Sequence, residues 1–206
     1  MKRLYKGKYR VDTFRLRGWD YSSNGYYFIT ICVKDRKEVF GGVVNGVMVL
    51  NKVGLIAHNF WLEIPNHFCH VFLDEFVIMP DHVHGIILID GGHDSGVAMQ
   101  RRHNNHNSAM QRRHNNEIPL QHYNQTQKNQ YMSKISPKPG SIPTIIRSYK
   151  SICTRTINKL NGGAVNFSWQ SLYHDHVIRD KFALNQIRKY IRENPINWGK
   201  KKPHRR

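Results

Sequence analysis

Two pairs of side chains in this 206-residue chain have types and spacings that could do chemistry: His82 with His84, and Tyr190 with Asn194. The histidines sit in Phe76-Val77-Ile78-Met79-Pro80-Asp81-His82-Val83-His84-Gly85-Ile86-Ile87-Leu88-Ile89, between two short runs rich in Val and Ile. Such runs read as buried strands. Alternate residues of a strand share a face, so the two imidazoles point the same way, roughly 7 Å apart along the backbone. That is half of a metal site. A bare H-x-H is more often a pair of solvent-facing histidines, but a polar pair on an apolar strand needs partners. Tyr190 and Asn194, four apart on a helix, would share a face with side chains roughly 6 Å apart. An amide oxygen suits a hard cation, and a phenol beside it could attack phosphorus. Spacing alone is met as well by a tyrosine packed on an amphipathic helix and an asparagine ending that helix before Pro195.

Rival arrangements are present. His174 and His176 form a second H-x-H, in a stretch flanked by charge. His67, Cys69 and His70 are close in sequence, yet neighbouring strand residues face opposite ways, which argues against a shared ligand.

The elements that must position these residues follow from local patterns. Tyr26 to Val33 is a strand of aromatic and β-branched residues. Val43 to Leu50 is a hairpin turning at Asn45-Gly46. Asn51 caps a helix with an apolar stripe of Val53, Ile56, Ala57, Phe60 and Trp61, and Pro65 lies just past its end. Cys69 to Met79 is a strand leading into the histidine strand. Ser141-Ile142-Pro143-Thr144 opens a helix in which Ile145, Ile146, Tyr149, Ile152, Cys153, Ile157 and Leu160 recur at helical spacing. Gly162-Gly163 ends it. Phe167 to Ile178 is extended, and Asp180 caps a last helix that Pro195 stops. This order predicts an α+β domain, an antiparallel sheet with helices mainly on one face.

Lys and Arg number 32 against 14 acidic residues, a net charge of +18 and a pI near 10.1. Such a balance points to a polyanion, most simply nucleic acid. Cations alternate with aromatics over residues 1–20, a pattern suited to phosphate contact and base stacking. Arg15, Arg17, Arg147, Lys150, Arg155 and Arg179 are the candidate DNA contacts. No signal peptide, membrane span or basic amphipathic helix stands out, and Cys32, Cys69 and Cys153 are scattered as in reduced thiols. These features predict a cytoplasmic protein, nucleoid-associated through DNA, with no membrane partner.

The chain 1–206 reads as one domain, interrupted at 91–140 and ending in a basic tail, 199–206. The interruption is rich in Asn, Gln, His, Ser and Gly and contains a tandem copy, Ala98-Met99-Gln100-Arg101-Arg102-His103-Asn104-Asn105 and Ala109-Met110-Gln111-Arg112-Arg113-His114-Asn115-Asn116. Too few large apolar groups are present to offset its ordering entropy, so it is expected to be mobile.

Four blocks in order, V-I-M-P-D-H-V-H-G-I-I, S-Y-K-S, W-Q-S-L-Y-H-D-H-V-I-R-D and K-Y-I-R-E-N-P-I-N-W, resemble the REP-associated tyrosine transposases. These are single-tyrosine HUH transposases of bacterial insertion sequences. The opening R-L-R-G-W-D-Y-S-S-N-G-Y-Y-F-I-T-I-C is similar to that family's first strand region, and the likeness spans residues 10–90 and 141–198. The resemblance implies a ferredoxin-like core, a magnesium or manganese ion on His82, His84 and Asn194, and Tyr190 as nucleophile. It implies cleavage of hairpin-forming single-stranded DNA through a 5′-phosphotyrosine. It leaves open monomer or homodimer, and a role for His176, which with Tyr173 makes a secondary site. Asp81 stands where many relatives carry asparagine, and the insertion directly after the histidine strand could disturb the site. A non-catalytic nucleic-acid module and a zinc-dependent hydrolase using the histidines without Tyr190 are the alternatives. Tyr149, on an apolar stripe, reads as core.

Overall fold

In a computed structural model of the chain, the structure describes residues 15–16, 18–91, 136–160, 162 and 166–200. The chain divides into one unit made of Met1–Gly91 with Pro139–Arg206, and a second, Gly92–Lys138, which lies almost wholly outside the described residues. The tandem copy and most of the basic tail also fall outside them.

The first unit is built on a four-stranded sheet ordered β4-β5-β1-β6, with every neighbouring pair antiparallel. Its strands are β1 (Gly25–Cys32), β4 (Val71–Ile78), β5 (His82–Ile89) and β6 (His174–Ile178). A separate hairpin, β2 (Gly41–Val44) and β3 (Val47–Leu50), turns at Asn45 and Gly46, whose φ angles of 52° and 76° suit the tight turn that Asn-Gly predicts. Helices α1 (Lys52–Leu62), α2 (Ile64–His67), α3 (Ile142–Leu160) and α4 (Lys181–Glu193) complete the unit. The long helices begin as the sequence indicates. Asn51 Oδ1 accepts from the Val53 and Gly54 amides, and Asp180 Oδ1 from Ala183 N.

Alternation along β1 divides the molecule into two layers. Tyr27, Ile29 and Ile31 pack with Ala57, Trp61, Ile145, Ile146 and Tyr149, so α1, α2 and α3 cover one face. Tyr26 and Phe28 face the other way and pack with Ile86, Ile178, Leu184 and Ile191, so α4 alone lies across the opposite face. This is the ferredoxin-like arrangement with one added helix. Pro65 lies just past the end of α1, as the sequence indicates, and sits in the first turn of α2, where a proline lacks no needed hydrogen bond. Of Phe167–Ile178 only the last five residues are strand, Trp169 making an isolated bridge to Val33. Among the described residues no helix is long and apolar enough to cross a membrane.

Gly85 shows how tightly the helical layer sits. It lies on the α1 side of β5, and a Cβ there would run into the Trp61 ring. Trp61 is fully buried and stacks on Phe76 beside it. Gly85→Ala should therefore cost about 1–3 kcal/mol through overpacking, read as a lower midpoint in urea unfolding with an unchanged slope.

Candidate active site

The register of β1 against β5 pairs Cys32 with His82, Thr30 with His84 and Phe28 with Ile86, and paired residues share a face. Both histidines thus stand on the α4 side of the sheet, each 5% exposed. The tight turn Met79-Pro80-Asp81 brings the chain into β5, with Met79 N donating to His82 O. That turn is held from outside: Pro80 O accepts from Val39 N and Phe40 N, and Asp81 O from Val33 N. The Asp81 carboxylate is buried between Arg36, whose Nε lies 2.8 Å from Oδ2, and His82, whose Nδ1 lies 2.5 Å from Oδ1. A proton on His82 Nδ1 donates to that carboxylate, which makes Nε2 the nitrogen carrying the lone pair. Aspartate at this position supplies a full negative charge that asparagine would not.

His84 is bracketed as well. Its Nδ1 lies 2.8 Å from Thr30 Oγ1 and its ring stacks on Phe28 at 5.4 Å between centroids. Its Nε2 meets the Tyr190 hydroxyl at 3.2 Å. Tyr190 projects from α4, edge-on to Phe28 and His84, and remains 40% exposed. These residues open into a cleft of about 420 Å³ that Asn194, Asn197, Trp198 and Lys200 also line. The two sequence pairs, more than a hundred residues apart, thus meet in one place.

The donor set fits a divalent cation in part. Two imidazoles 4.4 Å apart between ring centroids, one of them oriented by a carboxylate, are suitable ligands. Among the described residues no group of three or more His, Cys, Asp or Glu is placed to hold a metal ion, the His67, Cys69, His70 stretch included. A cation here would take its remaining ligands from a neutral amide such as Asn194 and from oxygen atoms of a substrate.

The competing candidates separate. Tyr149 is buried in the helical layer, its hydroxyl donating to Ala57 O, and desolvation drives its pKa well above the ordinary phenol value. Tyr173 and His176 are not brought together. Tyr173 packs against the core beneath the other face, its hydroxyl accepts from Arg15, and burial pushes its pKa up to about 12. His176 pairs with Phe28 on the α4 side. It is His174, paired with Thr30 and so in line with His84, that lines the cleft.

The candidate DNA contacts scatter too. Lys150 is committed to the fold, its ammonium donating to the carbonyls of Gln170 and Ser171, and burial lowers its pKa. Arg147 and Arg155 line a groove between α2 and α3, on the face away from Tyr190. Arg15 lies over the Tyr21 and Tyr173 rings, and Arg179 lines a separate depression beside His176. Arg17 is outside the described residues. The cations at the cleft, Arg36 and Lys200, carry no periodic signal in the sequence.

Most hidden from sequence is how α4 is held. Leu73 pairs with Ile87 and Phe76 with Gly85, so β4 takes three steps while β5 takes two. Asp74 and Glu75 together stand opposite Ile86, as in a β-bulge. Both carboxylates reach α4: Asp74 accepts from Arg188 Nε at 2.9 Å and from its Nη2, and Glu75 accepts from Arg192 Nη1 at 2.6 Å. The Arg188 guanidinium holds the Asp74 carboxyl below the usual carboxylate range. A depressed acid stabilises the fold above its unfolded-state pKa and loses that effect as pH falls through the folded value. Asp74→Asn should accordingly melt lower than the parent at pH 7. The gap should close on acidification below the ordinary carboxylate range and show no such closure toward pH 8.

No protein-family model matches the chain. An uncharacterized protein of Haemophilus influenzae is 34% identical over 192 residues, 93% of this chain and 92% of its own length. A solved REP-associated tyrosine transposase, bound to a REP hairpin, superposes with a TM-score of 0.51 at 14% identity, covering 90% of this chain and 74% of that one. The chain belongs to one family with the Haemophilus influenzae protein, and it has the fold of a REP-associated tyrosine transposase.

Proposed function

We propose that this protein is a transposase that cuts and rejoins hairpin-forming single-stranded DNA, with Tyr190 as its nucleophile. One observation carries the reading: the Tyr190 hydroxyl stands 3.2 Å from His84 Nε2, over a histidine pair and in an open cleft. A phenol at that place can reach a phosphate lying in the cleft. The net charge of +18, and Arg36 and Lys200 at the rim, favour a polyanionic substrate. That the solved neighbour is bound to a REP hairpin favours DNA of this form.

In the proposed reaction Tyr190 Oη attacks the scissile phosphorus and the bond from phosphorus to the 3′ oxygen breaks. The phenolic proton passes to water in the cleft, and a proton from water ends on the leaving oxygen. The products are a 5′-phosphotyrosine and a free 3′-hydroxyl, and joining runs the same steps backwards. A divalent cation, magnesium or manganese, held by His82, His84 and Asn194, would polarise the phosphate and offset the charge that grows during attack. Asp81 orients His82 for that task, and Thr30 and Phe28 orient His84.

Incubation with hairpin oligonucleotides and manganese, read on a denaturing gel, tests the reading. Tyr190→Phe should keep the fold and hairpin affinity yet form no covalent adduct. His82→Ala should abolish the adduct, and Asn194→Ala should weaken it with partial recovery in excess metal. Asp81→Ala should lower metal affinity by about 10–100-fold. Peptide mapping that placed the nucleotide on Tyr173 would overturn the assignment.

A further inference from the structure

We infer that Asp74 and Glu75 are positioning residues for Tyr190, acting through Arg188 and Arg192 to fix the rotation of α4 about its own axis. The inference rests on the proposed role of Tyr190 as nucleophile. Three faces of α4 carry it. Leu184, Ile187 and Ile191 are packed on the sheet with Ile86 and Phe28. At 100° per residue, Arg188 and Arg192 project to one side of that apolar stripe, and Tyr190 and Asn194 to the other. The apolar contacts hold the helix down but resist rolling weakly, because hydrophobic attraction has no direction. The bidentate Arg188–Asp74 pair and the Arg192–Glu75 pair do have direction, and they lie one turn apart on a single flank. A roll of 20° on a helix half-width of about 5–6 Å carries a flanking side chain through about 2 Å. That would dissolve the 3.2 Å contact between Tyr190 and His84.

The bulge is what makes the double tether possible. In a regular strand Asp74 and Glu75 would face opposite sides of the sheet, and one carboxylate would point into the helical layer. The extra residue puts both opposite Ile86, on the α4 side. Glu75 N donates to Asp74 Oδ1, which gives the first carboxylate a second hold within its own strand.

The test uses the full chain carrying 3-fluorotyrosine at position 190, comparing parent, Asp74→Asn/Glu75→Gln, and the exchanged pair Asp74→Arg/Arg188→Asp. Two readouts are taken: the fluorine NMR resonance of residue 190, and the single-turnover rate of adduct formation at saturating hairpin DNA. In the neutralised variant the resonance should move and broaden. The single-turnover rate should fall by at least about 10-fold, as expected of a misplaced nucleophile, while hairpin Kd stays within about two-fold. The exchanged pair should regain a substantial share of the rate. An unmoved resonance in the neutralised variant would overturn the inference. So would a rate that falls only in step with Kd or melting temperature, without recovery in the exchanged pair. If the parent forms no adduct, the proposed function fails, and the resonance alone still decides whether the tethers position residue 190.

Discussion

The pairing of Thr30 with His84 across β1 and β5 is the constraint on which the rest depends. Each strand has one face in the helical layer and one beneath α4, so the register decides which residues meet which layer. A slip of one residue would drive His82 and His84 into the side occupied by Trp61 and Tyr149, and bring Val83 to the cleft. Several features hold the register. Apolar side chains alternate on both faces of β1, Gly85 admits the Trp61 ring on one face only, and the 33–40 segment clamps the turn before His82. The polar pair is tolerated at 5% exposure because each imidazole has a defined partner, Asp81 for one and Thr30 for the other.

Given that register, the site is assembled by contacts between parts of the chain that are far apart in sequence. The sheet contributes rigid histidines, and the helix that crosses it contributes an exposed phenol. Side-chain packing, two ion pairs and the Tyr190–His84 hydrogen bond join them.

Much of this was legible in the chain. Asn51 and Asp180 announce helix starts through their side-chain acceptors, Asn45-Gly46 announces its hairpin, and short runs of aromatic and β-branched residues announce β1 and β5. What was not legible depends on tertiary geometry. Asp74 and Glu75 look like two charges interrupting a strand, because a bulge has no pattern until the partner strand is known. Lys150 looks like a surface cation on a helix, and only the nearby carbonyls of Gln170 and Ser171 show where its ammonium goes. Tyr173 sits next to a histidine pair in sequence, yet the pleat sends it to the other side. His176 and His174 could not be told apart by spacing, since both share a face, and only the distance each lies along β6 brings His174 to the cleft.

The long polar interruption leaves the first unit at Gly91, two residues past β5, and rejoins it at Pro139, and both junctions are hydrogen-bonded to that unit. Gly91 N donates to Asn24 Oδ1, and His70 Nε2 shares a hydrogen bond with Gly140 O, while His70 O receives Asp90 N. Both junctions lie at the far end of the seven-residue step from His82 to Ile89, about 23 Å from the histidines at strand rise. The two ends of the interruption are thus anchored in the first unit's own hydrogen-bond network, at the opposite end of β5 from His82.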